Sequence, residues 1–286
     1  MERPDRRLNA YRDDLADAAL EGRVEARRFA AGEPARIVAS VADLRPRPDR
    51  DAGIDTQLLF GEPVTVFDRA EGFCWLKSGV DGYVGYAEER ALGPAEPSPT
   101  HIVTAVRTFL YQEADLKRPA RAPVSMGSRL VVVGETEVRG TRYALLEGGG
   151  AVIAAHLKPL DAAPEPDYVT VAARFLETPY LWGGRSGFGI DCSGLVQISQ
   201  MIAGRIAPRD SDMQAEGLGR PIERETRRRG DLVFWKGHVA ILEDADTTIH
   251  ANGHTMTVAR ESLKDAINRI GPVYGQPTGW RRVLPG

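Results

Sequence analysis

The chain has 286 residues, of which 42% are hydrophobic and 27% are charged, and its formal net charge is −3 at pH 7. This composition is that of an ordinary folded protein, and the length predicts two or three domains rather than a single core. A net charge so close to zero argues against nucleic acid or an acidic membrane surface as a partner.

The N-terminal segment carries a helical pattern among its charged residues. Leu8, Tyr11, Leu15 and Leu20 recur at roughly helical spacing, so residues 1–33 are predicted to form an N-terminal helical arm. The segment has no apolar run long enough for a signal-peptide core or a membrane span. We therefore expect a cytoplasmic protein without a membrane partner.

Two segments of similar texture follow, over residues 34–96 and 97–163. Both contain short β-rich runs broken by Gly, Asp and Pro, which is typical of small barrels or sandwiches. Matching features recur at a nearly constant offset, namely Ile37 with Ile102, Gly61 with Gly127, and Leu92 with Leu157. A constant offset predicts two copies of one unit, and Pro-rich stretches mark where each copy ends.

The order of features in these copies resembles bacterial SH3-like domains. A Gly-Glu pair precedes a Val-rich strand, an aromatic strand containing Trp75 follows, and a Gly-Tyr-x-Gly-Tyr run closes the first copy. Glycines at such points allow the corners of a tight barrel. The resemblance, stronger in the first copy, implies two small all-β SH3-like barrels.

Residues 164–286 change character again and are predicted to form an α+β domain. Helices are expected at 167–175 and 193–201, with a Gly-rich loop at 183–189 between them. Strands are expected to begin at 231, 238, 247 and 280. Helices followed by antiparallel strands is an α+β order.

Cys192 is the candidate nucleophile of this domain. It opens the second predicted helix, where unpaired N–H groups and the helix dipole favour a thiolate. His238 begins one predicted strand and His250 ends the next, so antiparallel pairing can bring their rings together. His238 would then act as the base, and His250 would fix its tautomer. The other cysteine, Cys74, lies beside Trp75 in a β-run and is expected in a core, so no disulfide is predicted.

Residues 167–285 resemble the NlpC family of papain-like cell-wall cysteine peptidases. The resemblance rests on six motifs in order, at 179–184, 191–194, 209–214, 230–235, 237–240 and 249–251. It implies that Cys192 attacks a peptide carbonyl, that His238 shuttles the proton and that His250 orients His238. It also implies that Tyr180 helps to hold the oxyanion. The family cleaves γ-D-glutamyl bonds to diaminopimelate or lysine in murein stem peptides.

The SH3-like copies make the chain similar to a subgroup that requires a free N-terminal L-Ala on its substrate. A buried ammonium needs a carboxylate partner. The candidate substrate-binding residues are Asp191, Ser193, Ser211, Trp182, and, from the first copy, Glu62 and Tyr83. A cytoplasmic enzyme with this requirement fits recycling of small murein peptides, because wall-linked L-Ala has no free amine.

Other interpretations remain open from the residues themselves. Cys192 and His238 are each more often structural when met in isolation. A metal site built from Cys192, His238 and His250 would lack a fourth ligand at motif spacing, and no cofactor or metal is predicted. An amidase or acyltransferase on the same frame would share the thioester chemistry, and a non-catalytic module would bind wall peptides. The sequence does not indicate the oligomeric state.

Overall fold

The computed structural model describes residues 3–283, which divide into two compact units with the boundary between Ala162 and Ala163. The first unit consists of β-strands and short 3₁₀ turns, and the second combines helices with an antiparallel sheet. Each unit buries hydrophobic clusters of its own, as expected when a chain of this length forms separate domains.

The N-terminal segment contains one 3₁₀ turn and no α-helix within residues 3–33, so the predicted helical arm is wrong. Its elements are β1 (Ala16–Asp17), η1 (Ala18–Leu20) and β2 (Phe29–Ala30), and the two strands pair in parallel. Asp5 accepts from the Arg7 N–H, and Asp17 caps η1 by accepting from the Ala19 N–H, but this turn ends at Leu20 without continuing into an α-helix. The apolar residues that suggested a helix are buried from an irregular backbone instead.

The first β-unit follows this segment. Its elements are β3 (Glu33–Ile37), β4 (Val41–Leu44), β5 (Thr56–Leu59), β6 (Pro63–Ala70), β7 (Phe73–Ser78), β8 (Val84–Glu88), η2 (Glu89–Ala91) and β9 (Leu92–Pro94). Five strands form a sheet in the order β8-β7-β6-β3-β9, and β4 pairs with β5. The core of this unit contains Ile37 from β3, Leu44 from β4, and Cys74 and Leu76 from β7.

The second β-unit repeats this order of elements. It consists of β10 (His101–Val103), β11 (Arg107–Tyr111), β12 (Ala120–Ser125), β13 (Arg129–Leu130), β14 (Val132–Val138), β15 (Thr141–Leu146), β16 (Ala151–Ile153), η3 (Ala154–His156) and β17 (Leu157–Pro159). Its sheets have the orders β12-β11-β16-β15-β14 and β13-β10-β17. Each β-unit ends with a 3₁₀ turn followed by a three-residue strand, η2 and β9 in the first and η3 and β17 in the second.

The internal repeat is also visible in the backbone hydrogen bonds at one corner of each unit. Gly61 donates to Ile37, which donates to Glu62; in the second unit Gly127 donates to Val103, which donates to Ser128. Both glycines have the left-handed conformation, with φ of 76° and 91°. Among residues 3–283, strand pairing closes neither unit into a barrel, so the predicted barrels are two open β-units.

The second compact unit of the chain, which begins at Ala163, has the predicted α+β organisation. Its helices are α1 (Tyr168–Ala173), α2 (Cys192–Ile202), α3 (Ser211–Gly217) and α4 (Leu263–Tyr274), and η4 (Arg224–Thr226) is a 3₁₀ turn. Its strands are β18 (Arg185–Ser186), β19 (Gly189–Ile190), β20 (Arg220–Pro221), β21 (Asp231–Trp235), β22 (His238–Leu242), β23 (Thr247–Asn252), β24 (Thr257–Ser262) and β25 (Gly279–Arg282). Six strands form one antiparallel sheet in the order β20-β25-β21-β22-β23-β24.

Local capping explains where the helices begin. Asp167 caps α1, Asp191 caps α2, and Ser262 caps α4 by accepting from the Asp265 N–H. Helix α4 was not predicted; it packs its apolar face on β21 and β22. Over residues 3–283, every helix is too short or too polar to cross a membrane.

Candidate active site

Cys192 is the first residue of α2, and 7% of its surface is exposed. The helix packs beside β22 and β23. The backbone N–H groups of Val239 and Ser193 both donate toward the Cys192 sulfur. Because Val239 directly follows His238 on β22, this contact brings the thiol to the start of that strand.

A buried ion pair holds the loop that precedes the nucleophile. The Asp191 carboxylate accepts hydrogen bonds from the backbone N–H groups of Gly183 and Gly194, from the Ser193 hydroxyl, and from both terminal nitrogens of Arg209. The two closest oxygen–nitrogen distances are 2.7 Å, to Gly194 and to Arg209 Nη2. The carboxylate therefore ties the Gly183 loop to the first turn of α2, and Arg209 neutralises its charge.

The close fit of this loop against α2 depends on glycine. A Cβ atom on Gly194 would lie 2.4 Å from the Gly184 carbonyl oxygen, and one on Gly184 would lie 2.6 Å from the Gly189 carbonyl oxygen. Both distances are too short for a side chain. The Gly-rich loop is thus a packing device that fixes the position of the nucleophile.

The two predicted catalytic histidines lie in direct contact. His238 Nε2 is 2.9 Å from His250 Nδ1, and the ring centroids are 5.1 Å apart. His238 begins β22 and is half-buried, whereas His250 lies within β23 and is 1% exposed. The bond occupies Nε2 of His238, so Nδ1 is the ring nitrogen that lies outside this pair. Thiol, base and orienting ring are the parts needed for nucleophilic acyl transfer.

Sequence reasoning missed two residues behind His250. His250 Nε2 is 3.1 Å from Glu261 Oε2, and Arg269 donates to both oxygens of Glu261, at 2.9 Å from Nε and 2.5 Å from Nη2. Glu261 lies on β24 and Arg269 on α4. The last motif used for prediction, at 249–251, stops before the strand that carries Glu261, so the motifs gave no signal for it. Arg209 was quoted within a motif but was assigned no role.

Burial sets the protonation of the reacting pair. It raises the pKa of the Cys192 thiol to about 12, and the nearby Asp191 carboxylate adds to this rise. Burial, together with the neighbouring His250 and the positive charge of Arg269, lowers the pKa of His238 to about 3. Both shifts favour a neutral thiol and a neutral imidazole in the resting site. The thiolate expected from the helix terminus is therefore opposed by desolvation.

The remaining predicted residues of the second unit surround Cys192 at different depths. Tyr180 is half-buried, and burial together with the neighbouring Cys192 raises the pKa of its phenol. Ser193 is buried and accepts from Arg209 Nη1 at 2.8 Å. Ser211 begins α3 and is half-buried, and Trp182 is 70% exposed. Their roles in binding substrate stay predictions.

Glu62 and Tyr83 lie in the first β-unit and are buried. Glu62 Oε2 accepts from the Leu59 N–H at 2.9 Å. The Tyr83 side chain belongs to the core cluster of that unit. Their predicted contribution to substrate binding stays a prediction.

Comparison with known proteins matches two segments of the chain to known families. Residues 177–269 match the NlpC/P60 family, and residues 44–92 match the bacterial dipeptidyl-peptidase Sh3 domain. The first match covers the loop, the nucleophile and both histidines of the second unit. The second match covers most of the first β-unit.

Individual relatives agree with these family matches. A gamma-D-glutamyl-L-lysine dipeptidyl-peptidase of Bacillus cereus is 29% identical over 69% of this chain and 67% of its own length. The probable endopeptidase NlpC of Escherichia coli is 31% identical over 44% of this chain and 86% of its own length. A crystal structure of an NlpC/P60 family protein from Bacillus cereus, 25% identical, superposes with a TM-score of 0.75, covering 88% of this chain and 100% of that one. The second unit thus has the papain-like fold, and the chain belongs to the NlpC/P60 family of cysteine peptidases.

Proposed function

We propose that the protein is an endopeptidase that cleaves the bond between γ-D-Glu and diaminopimelate or Lys in murein stem peptides. The observation that carries the proposal is the hydrogen-bonded His238–His250 pair beside the buried thiol of Cys192. The name of the Bacillus cereus dipeptidyl-peptidase supports the choice of bond. In this proposal residues 164–286 form the catalytic domain, and residues 34–96 and 97–163 are two SH3-like domains.

The proposed reaction follows from the protonation of the resting site. The Cys192 sulfur attacks the γ-carbonyl carbon while its proton passes to Nδ1 of His238. Collapse of the tetrahedral intermediate returns that proton to the departing amine and leaves a γ-glutamyl thioester. Water, deprotonated by His238, then releases the acid and restores the thiol. The Cys192 N–H and the Tyr180 hydroxyl are the proposed donors to the oxyanion.

We further propose that the substrate carries a free N-terminal L-Ala, as in peptides released from the wall for recycling. Asp191, Ser193, Ser211, Trp182, Glu62 and Tyr83 are the proposed substrate-binding residues. Because Arg209 already neutralises Asp191, the proposed role of Asp191 is to place neighbouring donors rather than to supply an uncompensated charge. Recycling and a cytoplasmic location belong to the same proposal.

The test compares hydrolysis of L-Ala-γ-D-Glu-diaminopimelate, its Lys counterpart and the N-acetylated form of each. Wild type is expected to release the diamino acid from a free-amine peptide. Cys192→Ala is expected to lose activity by about 10⁴-fold or more, since it removes the nucleophile. Equal cleavage of free and acetylated peptides would overturn the amine requirement. Transfer to an added amine without hydrolysis would favour an acyltransferase, and binding without turnover would favour a wall-peptide-binding module.

A further inference from the structure

We infer that Glu261, held by Arg269, is a fourth functional residue of the catalytic site and positions the two histidines through His250. The inference rests on the proposed function for its kinetic part. Glu261 does not contact the thiol, so it is a positioning residue rather than a catalytic one. The proposal follows from strand register, from the contact with Arg269, and from the positions that the protons must take on His238, His250 and Glu261.

Strand register brings Glu261 to His250. In the β23–β24 pair, Thr248 lies opposite Glu261 and His250 lies opposite Ala259. Residues 248 and 250 point to the same face of the sheet, so Glu261 is the diagonal cross-strand neighbour of His250. Their side chains meet at 3.1 Å on this face. The contact is therefore a product of the sheet geometry and requires no special loop conformation.

Helix α4 fixes the orientation of the carboxylate. Arg269 donates through Nε and Nη2 to the two oxygens of Glu261, in a bidentate geometry that allows one orientation of the carboxylate plane. The hydrogen bonds from His250 and Arg269 hold the pKa of Glu261 at about 2, against the opposing effect of burial. The carboxylate is therefore ionised across the working pH range and can only accept hydrogen bonds.

An ionised Glu261 determines where the protons lie on both rings. His250 must carry a proton on Nε2 to donate to the carboxylate, so its Nδ1 is an acceptor when the ring is neutral. His238 must then donate from Nε2, which leaves a lone pair on Nδ1 for the Cys192 proton. Without the carboxylate, His250 could adopt the other tautomer and reverse this polarity. The negative charge also stabilises the imidazolium that forms on His238.

The charged and titratable groups around the two rings come from several elements. Glu261 faces them from β24 and Arg269 from α4, and both act electrostatically on His238. Arg269 opposes protonation of His238, and Glu261 favours it. Removing the Glu261 carboxylate alone should therefore disfavour protonation of His238 more than removing both Glu261 and Arg269.

The kinetic test uses Glu261→Gln with Glu243→Gln as its control. Glu243 forms a similar bidentate pair with Arg260, which lies on the same strand as Glu261. Within residues 3–283, no side-chain hydrogen bond links this pair to His238 or His250. We expect Glu261→Gln to lower kcat at least tenfold with KM changed less than twofold, whereas Glu243→Gln leaves both constants within twofold. Glu261→Asp keeps the charge but shortens its reach, so an intermediate kcat is expected. Equal kcat in Glu261→Gln and Glu243→Gln would overturn the inference.

A spectroscopic test does not depend on peptidase activity. Two-bond ¹H–¹⁵N correlations of the histidine rings report which nitrogen carries the proton. Wild type is expected to have Nε2–H on both His238 and His250, and Glu261→Gln to shift His250 toward a mixture of tautomers. An Nδ1–H tautomer on His250 in wild type would overturn the inference even if the enzyme cuts murein peptides. The expected tautomers in an enzyme that cuts none would instead overturn only the proposed function.

Discussion

At the scale of single residues, the buried pair of Asp191 and Arg209 combines folding and function. Both side chains are almost completely removed from solvent, and the pair caps the helix that begins with the nucleophile. A buried charge is tolerated only when its partner and its hydrogen bonds are present. The Asp191–Arg209 pair therefore holds the Gly183 loop against the start of α2. Breaking this pair would cost much free energy.

Neutralising one member of this pair should destabilise the second unit strongly. Asp191→Asn keeps the helix cap but leaves the Arg209 charge buried without a counter-charge, so we expect a loss of about 3–5 kcal/mol in the free energy of unfolding. Asp246→Asn, which alters an exposed pair with Arg227 in the same unit, should change it by less than about 1 kcal/mol. Urea unfolding followed by tryptophan fluorescence measures both, and equal losses would contradict the prediction.

The lowered pKa of His238 makes stability depend on pH in a defined direction. Between pH 6.5 and about 3 the unfolded chain binds a proton at this ring that the folded protein does not. Stability should therefore fall as the pH is lowered through this window. The slope of unfolding free energy against pH, measured from pH 5.5 to 7, should be shallower in His238→Gln than in wild type. Parallel slopes would mean that His238 titrates normally in the fold.

The sequence indicated the candidate catalytic residues more readily than the residues that contact them. Cys192, His238 and His250 each lie in a short motif that can be read locally. Glu261 and Arg209 acquire their roles only through strand register and long-range packing, and a charged residue without such context is expected on the surface. Burial of the Cys192 thiol also depends on the fold and could not be predicted locally. It raises the pKa of the thiol and so opposes the thiolate that the helix terminus was expected to favour.

At the scale of elements, local signals predicted α1, α2 and the central strands β21 and β22. The strand over 231–235 has the predicted bounds, and α2 differs from its prediction by one residue at each end. Helix α4 was not predicted from the sequence because Gly271 and Pro272 interrupt its C-terminal part, although the spacing of its apolar residues is helical. The N-terminal prediction failed in the opposite way, since apolar periodicity was present but its residues are buried from an irregular backbone.

The junction between the Gly-rich loop and α2 offers a test at this scale. Gly194→Ala would bring a Cβ atom against the Gly184 carbonyl, so we expect a loss of about 1–3 kcal/mol in stability, since extra volume in a packed site is costly. Gly253→Ala adds a methyl group where nothing lies within 4 Å, and its effect should stay within about 0.5 kcal/mol. Thermal unfolding distinguishes the two variants; similar melting temperatures would contradict the prediction.

At the scale of the whole molecule, the corner hydrogen bonds at Gly61 and Gly127 repeat, but strand pairing within residues 3–283 closes neither β-unit into a barrel. The offset between copies reflects a shared set of corners, which glycine marks in the sequence. Barrel closure depends on pairing between strands far apart in the chain, and the sequence pattern does not encode that pairing directly. The two copies also differ at the residue after the corner glycine, where Glu62 corresponds to Ser128.

This difference provides a test of the proposed amine requirement. Glu62→Gln should raise KM for the free-amine peptide about tenfold with kcat unchanged, because an ammonium loses a counter-charge. Glu33→Gln, an exposed change in the same β-unit, should leave KM unchanged. Because Glu62 also accepts from Leu59, the melting temperature of both variants must be compared. An unchanged KM in a folded Glu62→Gln variant would remove Glu62 from the proposed site.

The burial of both thiols has a consequence for the behaviour of the protein under oxidants. Cys74 and Cys192 are buried, and burial raises the pKa of each. Peroxide reacts with thiolates, which neither residue forms readily at neutral pH. The resting enzyme should therefore withstand peroxide concentrations that inactivate cysteine enzymes with exposed thiolates. In the proposed mechanism Cys192 would stay a protonated thiol, protected from oxidation, until His238 takes its proton during attack on the substrate.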